Sequence, residues 1–474
     1  MKIFFSLLFV LSINHLTAQV INKSEPKPTK AQITWHDMEF YLFAHFGPNT
    51  FTDLEWGHGN EKEEVFNPAQ LDCEQWCRIA KAAGAKGIII TAKHHDGFCL
   101  WPSKFSTHTV RESNWKNGKG DVLKELSAAC KKLDLKFGVY LSPWDRNHPA
   151  YGTDKYNDVF ANMLKEIFTN YGPIWELWWD GANGEGPNGK KQVYDFHRFE
   201  KLIRSLSPNT IIFSDIGPDI RWVGNENGIA GKTNWNTLDT AGFKRGLGAP
   251  PTDTLNTGNI YGKHWIPAEC DVSIRPGWFY HSKEDSLVKS PQQLLDLYLK
   301  SVGRGACLLL NVPPDGRGLF TKYDSAALID FKKLRDESFG NNLAKNGEGY
   351  FVFPKGLKLT KKLNDGDATT FESVLNLHLQ PMGIEFKKPQ KINCIVLEEN
   401  LLKGQHCIKF SIKLMNEKHQ LIKEIEGTTI GHKRILTFPA TELSTLSLEI
   451  QNQKGTTEIA EIKAYLINES LVEK

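Results

Sequence analysis

The chain has 474 residues, with 58 Lys and Arg, 55 Asp and Glu, and a formal net charge of +3. This near balance of charge gives no reason to expect nucleic acid or an anionic surface as a partner. The hydrophobic content of 40% and charged content of 24% are ordinary for a globular protein, and the length predicts two or three domains, or one barrel with an accessory domain.

The first residues have the pattern of a secretory signal peptide. Lys2 precedes an apolar stretch that ends at Leu11, and Ala18 provides a small residue for cleavage. The stretch is too short to cross a bilayer, and no later apolar run approaches membrane length. We therefore expect a signal peptide over residues 1–18 and an exported protein, periplasmic or secreted, without a membrane span.

Short apolar runs alternate with amphipathic helical patterns from residue 39 to residue 340. The predicted strands are Phe40–Phe46, Gly87–Ala92, Lys136–Leu141, Ile174–Trp179, Thr210–Asp215, Ile220–Val223, Ala268–Ile274 and Ala306–Val312. The predicted helices include Cys73–Ala83, Gly120–Leu133, Asp158–Tyr171, Tyr194–Leu206 and Pro291–Val302. This alternation predicts a parallel sheet, and about eight strands in roughly 300 residues favour a (β/α)8 barrel over a doubly wound sheet.

After residue 345 the helical patterns stop and short alternating strands follow. The predicted strands are Ile384–Phe386, Ile392–Leu397, Ile408–Met415, Leu421–Ile425, Lys433–Phe438, Leu446–Ile450 and Glu458–Leu466. This pattern is typical of an antiparallel β-sandwich. We therefore predict an α/β fold with a TIM-like barrel over residues 30–345 and a C-terminal β-sandwich over residues 346–474, which supports the barrel.

The eight cysteines do not form a disulfide scaffold in a chain of this length. Cys73 and Cys77 lie four residues apart on a predicted helix, and Cys270 and Cys307 lie in apolar runs typical of the core. No CxxC pair and no zinc-ligand spacing occurs among the cysteines. We therefore expect no structural metal, whereas disulfides stay open in an exported protein.

Two carboxylates are candidates for catalysis. The active site of a barrel lies at the C-terminal ends of its strands, and Asp180 ends a predicted strand after two tryptophans and before a glycine. Glu226 lies on a glycine-flanked loop close to Trp222, where apolar surroundings can raise the pKa of a carboxyl group. A lone Glu on a loop is more often a solvated charge, but glycoside hydrolysis requires two carboxylates, which favours the pair.

Three histidines lie at or just after the ends of the first two predicted strands. Adjacent residues of a strand point to opposite faces, so His94 and His95 can both face a site only at an irregular strand end. With His45 they could hold a zinc ion, although no HExxH motif and no carboxylate ligand accompanies them. As neutral imidazoles they would instead bind sugar hydroxyls, while Glu55 and Trp56 would add an acceptor and an apolar wall.

Six segments resemble glycoside hydrolase family 29, the α-L-fucosidases. They are Ala44–Pro48, Glu55–Gly57, Thr91–Phe98, Tyr140–Asp145, Leu177–Gly181 and Leu309–Pro314. The resemblance covers the predicted barrel, and the segments His94–Phe98 and Trp179–Gly181, in this order, are specific as a set. It implies an enzyme that acts on a fucosylated oligosaccharide or glycoconjugate and needs no cofactor.

The resemblance also implies roles for single residues. Asp180 looks like the nucleophile that forms a covalent fucosyl-enzyme. Glu226 looks like the acid/base, because Arg221–Glu226 and Pro267–Trp278 resemble subfamily B, which is restricted to α-1,3 and α-1,4 fucosyl linkages. The positions similar to substrate contacts are His45, Glu55, Trp56, His94, His95, Trp144, Trp178 and Trp278.

The implied mechanism is double displacement with retention of anomeric configuration. Three alternatives stay open, which are a broad-specificity fucosidase, a metal-dependent hydrolase that uses the three histidines, and a non-catalytic fucose lectin. A lectin would need neither carboxylate, so the presence of Asp180 and Glu226 disfavours it.

Overall fold

The structure, a computed structural model, describes residues 25–377 and 379–472, so the predicted signal peptide lies outside the described residues. Within these residues, eight parallel strands close into a barrel in which each strand pairs with its neighbours in chain order and the last pairs with the first. The strands are β1 Phe40–Ala44, β2 Gly87–Lys93, β3 Lys136–Leu141, β4 Glu176–Trp178, β5 Ile211–Ser214, β6 Ile220–Trp222, β7 Ala268–Ser273 and β8 Cys307–Asn311. The predicted barrel is confirmed.

The barrel strands are buried on both faces, which is why they read as nearly continuous apolar runs. On β1, Phe40 and Leu42 pack outwards against the helices, whereas Tyr41 and Phe43 point into the barrel interior. Phe40, for example, contacts Phe331 of the last helix edge-on, with ring centroids 5.5 Å apart.

The helices surround the barrel, and several of them begin at a side-chain cap that the sequence supplies. Their bounds are Lys30–His36, Asn49–Thr52, Cys73–Ala82, Val122–Leu133, Asp154–Asn170, Phe196–Leu206, Thr252–Thr257, Pro291–Lys300 and Lys322–Phe339. Ser290 caps one of them by accepting from Gln293 N, with Pro291 in the first turn. Among the described residues, no helix is long and apolar enough to cross a membrane.

The C-terminal strands form an antiparallel sheet region with its own buried cluster of apolar side chains. They are Gly347–Phe353, Gly356–Leu359, Glu372–Val374, Met382–Glu399, Cys407–Met415, Leu421–Gly427, Arg434–Gln453 and Thr457–Tyr465. Two long strands each replace two predicted short ones. The pairing register of the two long strands shifts near Pro389 and Pro439. Because proline cannot donate a hydrogen bond to the neighbouring strand, each proline interrupts the alternating sequence pattern although the strand continues.

Loops between the C-terminal strands contact the chain that follows β6. Asn236 N donates to Gln405 Oε1 at 2.8 Å, and Gln405 Nε2 donates to Asn234 O at 2.9 Å. Asn234 N also donates to Thr429 Oγ1 at 3.0 Å. These bonds support the segment that leads away from the loop carrying Glu226.

Candidate active site

A cavity of about 200 Å³ opens where the barrel strands end. It is lined by Phe43, His45, Glu55, Trp56, His94, His95, Tyr140, Trp178, Asp180, Ala182, Glu226, Asp271 and Trp278. Nine of the ten predicted site residues are in this set. A larger cavity of about 350 Å³, between the barrel and the C-terminal strands, contains none of them, so the polar cluster and not cavity size marks the candidate site.

Asp180 is held in a fixed orientation and remains reachable from the cavity. Its Oδ1 accepts from Ala182 N at 2.7 Å, and its Oδ2 accepts from the Tyr140 hydroxyl at 3.0 Å. Burial and the charge of Asp180 raise the pKa of Tyr140 well above its ordinary value, so the phenol stays a neutral donor. The Asp180 side chain is 26% exposed. These features suit a carboxylate that attacks a bound molecule.

Asp215, which follows β5, is a neighbouring carboxyl group that the sequence analysis did not select. It lies so close to Gly181 that a Cβ atom there would be 2.0 Å from Asp215 Oδ2. Burial and the charge of Asp180 raise the pKa of Asp215 to about 6. Only glycine permits this approach, which explains the glycine after Asp180.

Glu226 also lines the cavity, from the loop after β6. Its Oε2 accepts from Trp278 Nε1 at 3.2 Å, and the side chain is otherwise exposed. Asp271, at the end of β7, is a buried carboxyl group of the same cavity and accepts from Trp222 Nε1 at 2.9 Å. Burial, followed by the charges of Glu226 and Glu269, raises the pKa of Asp271 well above its ordinary value. Asp271 was not predicted as a site residue from the sequence.

His45 is oriented by Asn311 at the end of β8. Asn311 Nδ2 donates to Trp278 O at 2.8 Å and to Ser273 Oγ at 2.9 Å, which places Oδ1 on the other side of the amide. That oxygen accepts from His45 Nδ1 at 2.9 Å. Burial lowers the pKa of His45 to about 3, so the imidazole is neutral and carries one proton. That proton is on Nδ1, and Nε2 is therefore the unprotonated nitrogen. Asn311 lay inside an apolar run and was not selected from the sequence.

His94 and His95 both line the cavity because the end of β2 is irregular. The register with β3 shifts between Thr91 and Lys93, which breaks the strict alternation of side chains. His95 Nδ1 lies 2.8 Å from Ser142 Oγ, whose proton is directed to a backbone carbonyl. Burial lowers the pKa of His95 to about 4. Burial, followed by the charge of His95, lowers the pKa of His94 well below its ordinary value.

Two of the three imidazoles use Nδ1 for hydrogen bonds within the protein. His45 bonds to an amide and His95 to a hydroxyl. Among residues 25–377 and 379–472, no group of three or more His, Cys, Asp or Glu is placed so that it could hold a metal ion. The described geometry thus gives the metal-dependent alternative no set of ligands.

Tryptophans form the apolar walls. Trp178 stacks on Phe213 with ring centroids 3.9 Å apart, and its Nε1 donates to the buried Glu269 at 2.8 Å. Trp56 is 54% exposed at the rim. Trp144 does not line the cavity, because its ring stands edge-on behind Trp56, with centroids 5.6 Å apart.

Glu55 lines the cavity but also binds the loop after β7. Its Oε2 accepts from Trp278 N at 2.7 Å, and its Oε1 accepts from Phe279 N at 3.2 Å and from His281 Nε2 at 2.6 Å. Much of its acceptor capacity is therefore used within the protein. The role in sugar binding that the sequence predicts for Glu55 stays a prediction.

The chain matches the family model Alpha-L-fucosidase over residues 12–348. It is 40% identical over 423 residues to Alpha-L-fucosidase 1 of Arabidopsis thaliana, across 87% of this chain and 82% of that protein. A glycoside hydrolase 29 family member from an unknown rumen bacterium has a TM-score of 0.82 and 40% identity, across 94% of this chain and 78% of that one. A GH29 fucosidase of Ruminococcus gnavus, solved with fucose, has a TM-score of 0.86 and 30% identity, across 94% and 96%.

The buried histidines make the free energy of unfolding depend on pH. The pKa values of His45 and His95 are about 3 and about 4 in the fold, against about 6.5 when unfolded. The unfolded chain therefore binds protons that the folded chain does not, and stability falls as pH decreases from 6.5 towards 4, by up to about 1.4 kcal/mol per pH unit for each histidine. Asp96 and Asp215, with pKa values raised to about 6 chiefly by burial, act in the opposite direction.

His45→Gln removes the contribution of His45 to this pH dependence. The free energy of unfolding should therefore decrease less as the pH falls from 7 to 5. Urea unfolding at pH 7, 6 and 5 measures the effect, with the exposed His197→Gln as control. A slope for His45→Gln equal to that of the unmodified protein would show that His45 is not held neutral by the fold.

Proposed function

The chain belongs to the α-L-fucosidase family and is a glycoside hydrolase, and from this premise we propose that it is an exported, retaining enzyme of subfamily B that hydrolyses terminal α-1,3- or α-1,4-linked L-fucose. The observation that carries the proposal is the shared cavity, in which Asp180 and Glu226 line the same space as three histidines and the tryptophan walls. Two carboxylates on one sugar-sized cavity are the requirement of glycoside hydrolysis.

In the first step of the proposed mechanism, an Asp180 oxygen attacks the anomeric carbon of fucose. The bond from that carbon to the leaving oxygen breaks, and Glu226 gives its proton to this oxygen. The hydrogen bonds from Ala182 N and Tyr140 keep the Asp180 carboxylate aimed during the attack. The product of this step is a fucosyl ester of Asp180 and a free sugar.

In the second step, Glu226 takes a proton from a water molecule, which attacks the same carbon and releases Asp180. Two inversions give net retention. His45 and His95 are suited to accept hydrogen bonds from fucose hydroxyls through Nε2, since Nδ1 of each is occupied. The face of Trp178 is suited to pack against the C5 methyl group of fucose.

The linkage preference is supported by the two segments that resemble subfamily B. Arg221–Glu226 and Pro267–Trp278 meet in space, because Trp278 Nε1 donates to Glu226 Oε2. Export, to the periplasm or outside the cell, is supported by the signal-peptide pattern around Lys2, Leu11 and Ala18.

Removing either candidate carboxylate should lower turnover, each for a different reason. Asp180→Ala should lose fucosyl-enzyme formation on every substrate. Glu226→Ala should keep formation of the intermediate from an aryl fucoside with a good leaving group but release fucose slowly, with a loss of about 10²-fold or more on oligosaccharides. Pre-steady-state kinetics measures both steps.

Azide should restore turnover of Glu226→Ala and give fucosyl azide with the anomeric configuration of the substrate. Asn227→Ala, next to it on the exposed loop, is the control and should behave like the unmodified enzyme. Near-normal activity of Glu226→Ala on a fucosylated oligosaccharide would contradict its assignment as acid/base.

The linkage proposal predicts a ranking of substrates. The enzyme should release fucose from a branched α-1,3/1,4-fucosylated trisaccharide and act little on an α-1,2-fucosylated glycan or a simple aryl fucoside. Quantifying free fucose from equal concentrations of the three tests this ranking. Strong release from the last two would leave the fucosidase activity intact and place the enzyme in the broad-specificity group.

A further inference from the structure

A chain of hydrogen bonds connects His281 to Glu226 along the mouth of the cavity. His281 Nε2 contacts Glu55 Oε1 at 2.6 Å, and Trp278 N donates to Glu55 Oε2 at 2.7 Å. The indole Nε1 of the same Trp278 donates to Glu226 Oε2 at 3.2 Å. Three loops, after β1, β6 and β7, are joined in this way.

The contacts of His281 require a positive charge. Its Nδ1 contacts the Asp53 carboxylate, while its Nε2 contacts Glu55. Carboxylate oxygens only accept, and a neutral imidazole has one N–H, so both contacts are hydrogen bonds only when the ring is an imidazolium. The side chain is 5% exposed. Burial opposes the charge, but the bonds to Asp53 and Glu55 outweigh it and raise the pKa of His281 above its ordinary value.

The loop around Trp278 fits closely against this ion group. A Cβ atom at Gly277 would lie 2.6 Å from Glu55 Oε1 and 3.0 Å from His281 Cδ2. Gly277 N donates to Glu284 Oε2 at 3.1 Å, and Ser273 Oγ donates to Gly277 O at 2.7 Å. The backbone before Trp278 is thus held by direct contacts with Glu284 and Ser273 and packs closely against the Glu55–His281 pair.

We propose that His281 is a positioning residue for the reaction, which as a cation between Asp53 and Glu55 fixes Trp278, so that the Trp278 indole orients Glu226 towards the leaving oxygen. The inference rests on the proposed role of Glu226 as acid/base. His281 is absent from the residues that line the cavity, and it acts through Glu55 and Trp278. Loss of its proton would turn a nitrogen lone pair towards a carboxylate and loosen the loop.

The test is a comparison of two substrates with the full-length enzyme. Proton donation matters for an oligosaccharide leaving group and little for a 2-chloro-4-nitrophenyl group. His281→Gln should therefore lower kcat/KM on the α-1,3/1,4-fucosylated trisaccharide about 10-fold or more, mainly in kcat, and change kcat/KM on the aryl fucoside by less than about 3-fold. Ser282→Ala, an exposed and uncharged position next to His281 in the chain, is the matched control and should leave both values unchanged.

Glu226→Gln is measured beside it to separate two failures. If Glu226→Gln leaves trisaccharide turnover intact, the proposed acid/base role is wrong. The other case is that Glu226→Gln loses turnover of the trisaccharide selectively. If His281→Gln then lowers kcat/KM for both substrates equally, or for neither substrate, the positioning role of His281 is wrong.

A second variant covers the case in which His281→Gln does not fold. Asp53 is on the surface, with a side chain 64% exposed, so Asp53→Asn should fold. It removes one anion from His281 and lowers the pKa of the imidazole, whose other charged neighbours are Glu55, Lys283 and Glu284. As the pH rises, the ratio of kcat/KM for the trisaccharide to kcat/KM for the aryl fucoside should then begin to fall at a lower pH than in the unmodified enzyme. An identical pH dependence of the ratio would overturn the inference.

Discussion

The pairing of the first barrel strand with the last is the constraint on which the site depends. Phe43 on β1 lies opposite Asn311 on β8, and this register brings the Asn311 amide beside His45 and the Trp278 loop. A shift by one residue would turn Asn311 to the other face of the sheet. Barrel closure therefore sets the tautomer of one imidazole and the position of the loop that reaches Glu226.

The two candidate catalytic carboxylates have different surroundings, and the difference matches their proposed tasks. Asp180 receives two fixed donors, from Ala182 N and the Tyr140 hydroxyl, which hold its carboxylate in one orientation. Glu226 is exposed on a loop and has one indole donor, which leaves the carboxyl group accessible to a leaving group and to water. Neutral histidines in the same cavity add hydrogen-bonding capacity without adding charge.

Much of the fold and of the candidate site could be predicted from the sequence, whereas the remainder depends on contacts between distant segments. The barrel strands were found because burial on both faces gives uninterrupted apolar runs, and Asp180 was found because a carboxylate at a strand end has no packing role. Pro389 divided one long strand into two predicted ones. Asn311 and His281 were not predicted because His45 and Glu55, which they contact at the site, lie more than 200 positions away, and no local pattern shows such a partner.

The central claim is that Asp180 forms the covalent bond to the sugar, and trapping that bond tests it most directly. A 2-deoxy-2-fluoro-L-fucosyl fluoride slows release of the intermediate more than its formation. Peptide mass spectrometry of the treated enzyme should then find one 2-fluorofucosyl group on Asp180, and none in Asp180→Ala. A label on Asp215 or Asp271, or turnover to fucose of inverted configuration without any label, would contradict the account.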